Sequence, residues 1–260
     1  MGSSGTRVSS RRGRTVDILG VSFARLTPEE TVAEVERLYE RDEPAWIAIE
    51  NVHALNLACA DLTHREVLNR ADLVLNDGKG VMLGARLLGQ SFPADLNGNF
   101  TSPLLLATAE ERGWPVFFLG AAPGVVERAV ERLGQKYPKL TVAGIHHGFI
   151  PREEEQEVVA QIRASGAGLL MVGMGMPLQE QWLDRHLHDA GVRLASTAGA
   201  FFDFQAGTIS RAPAWMNRVG LEWLHRLVME PRRMWRRYLI GNPLFIRRVL
   251  RQRWARKASP

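Results

Sequence analysis

From residue 16 to about residue 200, short apolar runs rich in β-branched and aromatic residues alternate with longer stretches of helical period. The runs at 46–49, 73–75, 116–119, 141–143, 169–172 and 193–196 are brief and continuous, the pattern of strands covered on both faces. Between them the period changes. Thr27-Pro28 supplies a cap and a first-turn proline ahead of Val32, Val35 and Leu38. Pro123 precedes Val126, Val130 and Leu133, and Glu153 opens a stretch carrying Val158, Val159 and Ile162. The alternation predicts an α/β fold: a largely parallel sheet with helices on both faces.

In such a sheet, ligands bind beyond the carboxyl ends of the strands. Those ends carry Glu50-Asn51, Asn76-Asp77-Gly78, Gly120-Ala121-Ala122-Pro123-Gly124 and Gly173-Met174-Gly175-Met176-Pro177. Glycine lets a backbone approach a phosphate, and the helix N-terminus behind it offers free N–H groups. Gly78, Gly120, Gly173 and Gly175 are therefore candidate contacts for a nucleotide diphosphate, although each turn serves equally as a tight connection. Asp77 suits a general base, or alternatively caps the helix opening at Gly78. Asn51 and Gln179 offer amides to sugar hydroxyls or a nucleobase, or to loop backbone.

Other chemistries lack their signatures. Gly173-Met174-Gly175 is not completed to a dinucleotide fingerprint, which counts against an oxidoreductase, and no P-loop, zinc spacing, HExxH or Asp-x-Asp occurs. No cofactor or metal is expected. His53, His146 and His147 show no partner by spacing and read as structural or exposed, while Asp203 and Arg211 flank a turn across which they could pair.

At 260 residues with 45% hydrophobic content, the chain can bury a sizeable core. Its charge is unevenly placed: +4 over residues 1–14, +11 over 211–260 and −10 between them, with four of seven Trp in the basic tail. The expected organisation is a disordered or tag-like stretch at 1–14, a catalytic body at 15–210 and a basic helical appendage at 211–260. Within the appendage, 213–229 reads as an amphipathic helix broken by Pro231, and a further helix is expected to start at Asn242-Pro243. Cations mixed with Trp and Phe suit an anionic membrane surface, with packing against the body as the competing use. Nucleic acid is not expected, because no recognised binding module accompanies the charge. No apolar run reaches the roughly 18 residues of a membrane span. Arg11, Arg12 and Arg14 precede no apolar stretch that would make a secretory or twin-arginine signal, and the single Cys59 fits a reducing cytoplasm.

Five separated motifs occur in order: AsnAspGlyLysGly at 76–80, PheLeuGlyAlaAlaProGly at 118–124, GlyMetGlyMetProLeuGlnGlu at 173–180, GlyAlaPhePheAspPheGlnAlaGlyThrIleSerArgAlaPro at 199–213 and GluTrpLeuHisArgLeuValMetGluProArgArg at 222–233. Together they resemble the WecG/TagA/CpsF family of bacterial glycosyltransferases over about residues 16–248. The resemblance implies a Rossmann-like body with a C-terminal appendage that completes the site and meets the membrane. It also implies an inverting, metal-independent transfer from a UDP-sugar donor to a polyprenyl-diphosphate-linked sugar acceptor, at the cytoplasmic face of the cell membrane. Asp77 matches the family's base, and Arg226, Arg233 and Arg236 match its arginine-bearing motif, where guanidinium forks suit a departing diphosphate. Asn97 lies in a segment that departs from the family pattern, with Asp95 where an arginine is usual and Phe100 in place of an aspartate; Asn97 is carried as a further binding candidate. Ile49 stands where many members have Thr. These departures leave the donor open between N-acetylmannosamine and a glucose or glucuronate type. A catalytically silent membrane scaffold is the remaining alternative.

Overall fold

A computed structural model of the chain describes residues 14–210, 212–213, 216 and 220–258. The described chain begins with an antiparallel hairpin, β1 Thr15–Ile18 and β2 Val21–Ala24, that the sequence reading did not anticipate. Val16, Ile18, Val21 and Phe23 alternate inward. Its two-residue turn holds Leu19 and Gly20 at φ 56° and 82°, the left-handed pair that matches strand twist.

The central sheet has six parallel strands in the order β4-β3-β8-β7-β5-β6. They are β3 Ala45–Glu50, β4 Leu73–Asn76, β5 Val116–Gly120, β6 Val142–His146, β7 Leu169–Gly173 and β8 Leu194–Thr197. All six coincide with the expected runs to within a few residues. The all-apolar runs are explained by cover on both sides: Trp46 and Ala48 of β3 face one buried cluster, Ala45, Ile47 and Ile49 the other.

One layer contains α2 Val52–Ala60, α3 Leu62–Arg70, α4 Lys79–Leu87, α7 Glu155–Ala164 and α8 Leu178–His186. The opposite layer contains α1 Pro28–Tyr39, α5 Gly98–Arg112, α6 Val125–Lys136 and α9 Phe201–Ala206. Thr27 caps α1 reciprocally with Glu30, as the Thr-Pro start predicts. Neighbouring strands β3 and β8 send their chains to opposite layers, into α2 and α9, and a crevice opens between them.

Beyond the body, α10 Glu222–Met229 ends before Pro231, which opens α11 Pro231–Trp235; a π turn at Arg236–Ile240 then leads into α12 Gly241–Ala258. Most of 214–219 lies outside the described residues, so the expected helix at 213–229 is observed only from Glu222. Asn242-Pro243 does not start a fresh helix as expected, because the chain is already helical at Gly241. The wider turn just ahead relieves the clash that proline makes with the preceding turn. Helix α12 belongs to the core: Phe245 and Val249 are 1% and 0% exposed within the first layer's cluster. Gln252 and Arg256 both reach the Asp17 carboxylate, at 2.6 Å each, and Arg248 donates to Asn56. The expectation for residues 1–14 lies outside the described residues, Arg14 excepted.

Candidate active site

Two cavities, of about 670 and 630 Å³, open at the carboxyl ends of the strands. Their walls share Asn51, His53, Asp77, Asn99, Glu222, Arg226 and Arg237, so they meet around Asp77. The first is walled by backbone turns, namely Ala121-Ala122, Gly173 to Met176 and Thr197 to Ala200, and is rimmed by Arg226, Arg233, Arg236 and Arg237. The second runs between α4 and the C-terminal helices, where Leu83, Trp223, Tyr238, Phe245 and Ile246 give it an apolar wall.

Asp77 is not a helix cap. The N-cap of α4 is Gly78, with φ 89° and no side-chain cap bond. The Asp77 carboxylate instead accepts from Asn51 Nδ2 at 3.1 Å and from the Gly98 backbone N–H at 3.4 Å. Asn51 is fixed in turn, because its Oδ1 accepts from His53 N at 2.9 Å and caps α2. Burial raises the Asp77 pKa above the ordinary aspartate value, and the Asp95 charge pushes the same way; the Asn51 and Gly98 hydrogen bonds and Arg237 oppose them. The site thus holds one oriented carboxyl group whose proton affinity exceeds that of a solvated aspartate, as a base requires.

Both signs of charge line the first cavity: Asp77, Asp203 and Glu222 with Arg226, Arg233, Arg236 and Arg237. Arg226 lies over the Phe204 ring at 5.7 Å, Arg236 over Trp235 at 5.2 Å and Arg237 over Tyr238 at 5.7 Å, contacts that hold the guanidinium planes. Burial lowers the Arg237 pKa, yet a guanidinium stays charged. His53 is pushed down to about 4, first by burial and then by Arg237, and is therefore neutral at physiological pH. Among the described residues no group of three or more metal-ligating side chains is assembled.

The sequence model of the glycosyl transferase WecG/TagA/CpsF family matches residues 16–259. The chain belongs to this family. Among its relatives, the N-acetylglucosaminyldiphosphoundecaprenol N-acetyl-beta-D-mannosaminyltransferase of Bacillus spizizenii is 31% identical over 221 residues, covering 85% of this chain and 84% of that protein. A protein of the same name from Staphylococcus aureus is 30% identical over 236 residues, covering 90% and 91%. Each of the five motifs singled out in the sequence contributes residues to the wall of the first cavity.

In this glycosyltransferase the expected site residues do not all reach a cavity surface. Asp77, Asn51, Gly173, Gly175, Arg226, Arg233 and Arg236 line the first cavity, and Gly78 and Asn97 line the second. Asn97 also caps α5 through Phe100 N at 3.2 Å. Gly120 and Gln179 stand behind the surface. Gly120 is a packing glycine, since a Cβ there would meet the Gly173 backbone at 2.5 Å. Gln179 is fully buried, and its Oε1 accepts from Gly175 N at 3.3 Å and Gly199 N at 3.1 Å, so it shapes the turns rather than offering its amide to a ligand.

Four residues were missed. Arg237, adjacent to the expected Arg236, lines both cavities, and only the phase of the helical tail distinguishes it from its neighbours. His53 is in the site, not peripheral to it. Glu50 and Glu180 lie behind Asp77, both fully buried. The acid at Asp95 accepts from Gly78 N at 3.0 Å and pairs with Lys79 at 3.7 Å, in the second cavity. Asp203 lines the first cavity and accepts from the Thr208 hydroxyl; its expected partner Arg211 is outside the described residues.

Proposed function

We propose that the protein is an inverting, metal-independent glycosyltransferase that moves a sugar from a UDP-sugar onto a polyprenyl-diphosphate-linked sugar at the cytoplasmic face of the membrane. The observation that carries this reading is the meeting of two unlike cavities at the oriented Asp77 carboxylate. The first suits the donor: backbone turns admit a diphosphate closely, and four guanidinium groups neutralise the charge of departing UDP. The second suits an acceptor whose diphosphate-linked sugar is carried by a hydrocarbon chain, because its outer wall is apolar. As the acceptor hydroxyl oxygen attacks the anomeric carbon from the side opposite UDP, its proton passes to Asp77. The bond between that carbon and the diphosphate oxygen breaks, and its electron pair leaves with UDP.

The relatives' names make UDP-N-acetylmannosamine the first donor to test, with N-acetylglucosaminyl-diphosphoundecaprenol as acceptor. The departure at Asp95 bears less on donor choice than sequence alone implies, since that side chain faces the second cavity and already serves Gly78 and Lys79.

No helix among the described residues is long and apolar enough to cross a membrane. Val228, Met229, Trp235, Leu239 and Ile240 are nevertheless 70%, 55%, 41%, 56% and 53% exposed beside Arg232 and Arg236, a composition suited to resting in a lipid interface. The deciding experiment measures UDP release from UDP-N-acetylmannosamine, UDP-glucose and UDP-glucuronate with a short polyprenyl acceptor, with and without EDTA. Acceptor-dependent release that survives EDTA is expected. No release from any donor, or release abolished by EDTA and restored by a metal, would overturn the corresponding part of the reading.

A further inference from the structure

Glu50 ends strand β3 with 0% exposure, and neither of its carboxyl oxygens meets an N–H or O–H donor elsewhere among the described residues. Such a group is costly to bury unless it is neutral or paired. The group that does reach it is another acid, Glu180 in the first turn of α8, also 0% exposed, whose Oε2 is likewise without a donor. Two carboxylates cannot bond to each other; a carboxyl and a carboxylate can, through one proton.

The other oxygen of Glu180 is engaged. Its Oε1 accepts from Gln179 Nε2 at 2.6 Å. That bond fixes which way the Gln179 amide points, and so turns its Oε1 toward the N–H groups of Gly175 and Gly199. Those glycines lie in two of the turns that wall the first cavity.

We infer that Glu50 and Glu180 hold a single proton between them, carried on Glu50 and donated to Glu180, and that this buried pair is the positioning device for the donor cavity, acting through Gln179. Glu50 is therefore a positioning residue that touches no substrate. Three consequences agree with this arrangement. Burial drives the Glu50 pKa well above the ordinary value, with the Glu180 and Asp77 charges adding to the effect and Arg237 alone opposing it. Burial likewise raises Glu180 to about 7, against the hydrogen bonds from Gln179, its own backbone and Glu50. The charged groups bearing on the pair are thus Asp77 after β4 and Arg237 ahead of α12, besides the pair itself.

Sign follows from these directions. Both acids bind their proton more tightly in the folded chain, so at low pH each carries one, the Glu180 proton leaves as pH rises through about 7, and the proton that Glu50 donates to Glu180 is lost at higher pH. Losing the shared proton places two negative charges side by side behind Asp77, and their repulsion displaces the Glu180 carboxylate that holds the Gln179 amide.

Two readouts on the full chain test this. The first is the infrared C=O stretch of a buried protonated carboxyl, taken as the difference between the native protein and Glu50→Gln from about pH 6 to about pH 9. It needs no ligand. The second is UDP binding by calorimetry over the same range; it rests on the donor reading above. The native difference band is expected at the acid end and lost on raising pH, with UDP affinity falling several-fold in parallel. In Glu50→Gln the amide donates to Glu180 at every pH, so binding should match the acid-end native affinity and stay flat. Should Glu50→Gln not fold, Glu180→Gln leaves Glu50 facing an amide in place of a carboxylate, so its carboxyl band should move and the pH dependence of UDP binding should change from the native one. Absence of the band, or a glutamine variant whose UDP affinity still falls as the native one does, overturns the inference. UDP failing to bind while the band behaves as expected would instead sink the donor reading and leave the proton pair standing.

Discussion

The two cavities that meet at Asp77 are built by opposite means. The first takes much of its wall from glycine-bearing turns at the ends of β7 and β8, pinned from behind by Gln179, with Phe149, Leu178, Phe201 and Phe204 beside them and charge supplied by arginines. The second is made of side chains, and much of its apolar wall comes from α10, α12 and the turn between α11 and α12. A backbone wall suits a ligand defined by phosphates and hydroxyls, which needs close approach and fixed N–H groups. A wall of Trp223, Tyr238, Phe245 and Ile246 suits one that brings hydrocarbon with it. The difference teaches that the parallel sheet alone builds only half of this active site.

The largest effect is expected where the cavities join. Asp77→Asn should leave UDP-sugar binding within several-fold while transfer falls by roughly 10²–10⁴. Because burial holds the Asp77 pKa up, the acid limb of kcat/KM in the native enzyme should lie above the ordinary aspartate range, with activity lost as pH falls through it. Unchanged turnover in Asp77→Asn would remove the base. A smaller, split effect separates the two walls. Arg237→Gln should weaken UDP binding by about 10–100-fold, and Trp223→Ala should raise the KM for the lipid-linked acceptor by about tenfold with donor binding intact. Equal losses of both substrates in each variant would erase the distinction between the cavities. The smallest effect is expected at the surface. Replacing Val228, Leu239 and Ile240 together by Ser should reduce sedimentation with anionic vesicles while sparing transfer to a short, soluble acceptor. Undiminished vesicle binding would move the membrane contact elsewhere.

How much of this was legible depends on what each element advertises. Five of the six sheet strands could be read because burial on both faces writes itself as continuous apolar runs, while the edge strand β6, with Val142 and Ile145 exposed, was read from its β-branched residues; the glycine turns follow from where those runs stop. The β1–β2 hairpin alternates as cleanly, yet its turn begins with Leu19, a residue that gives no turn signal. Arg237 was hidden among twelve tail arginines, because only the π turn sets which guanidinium faces Asp77. Glu50 was visible as a strand-end acid, but its partner lies far along the chain at Glu180, and no local spacing joins them. Gln179 shows the reverse: a polar residue in a motif can brace the turns of a pocket it never faces.

The clasp between Asp17 and Gln252 spans 235 positions of sequence. During translation the hairpin therefore leaves the ribosome long before the segment that will brace it exists. Phe245 and Val249, which fill the same buried layer, arrive equally late. A nascent glycosyltransferase of this kind stays unfinished, with an uncovered flank, until α12 has emerged from the ribosome.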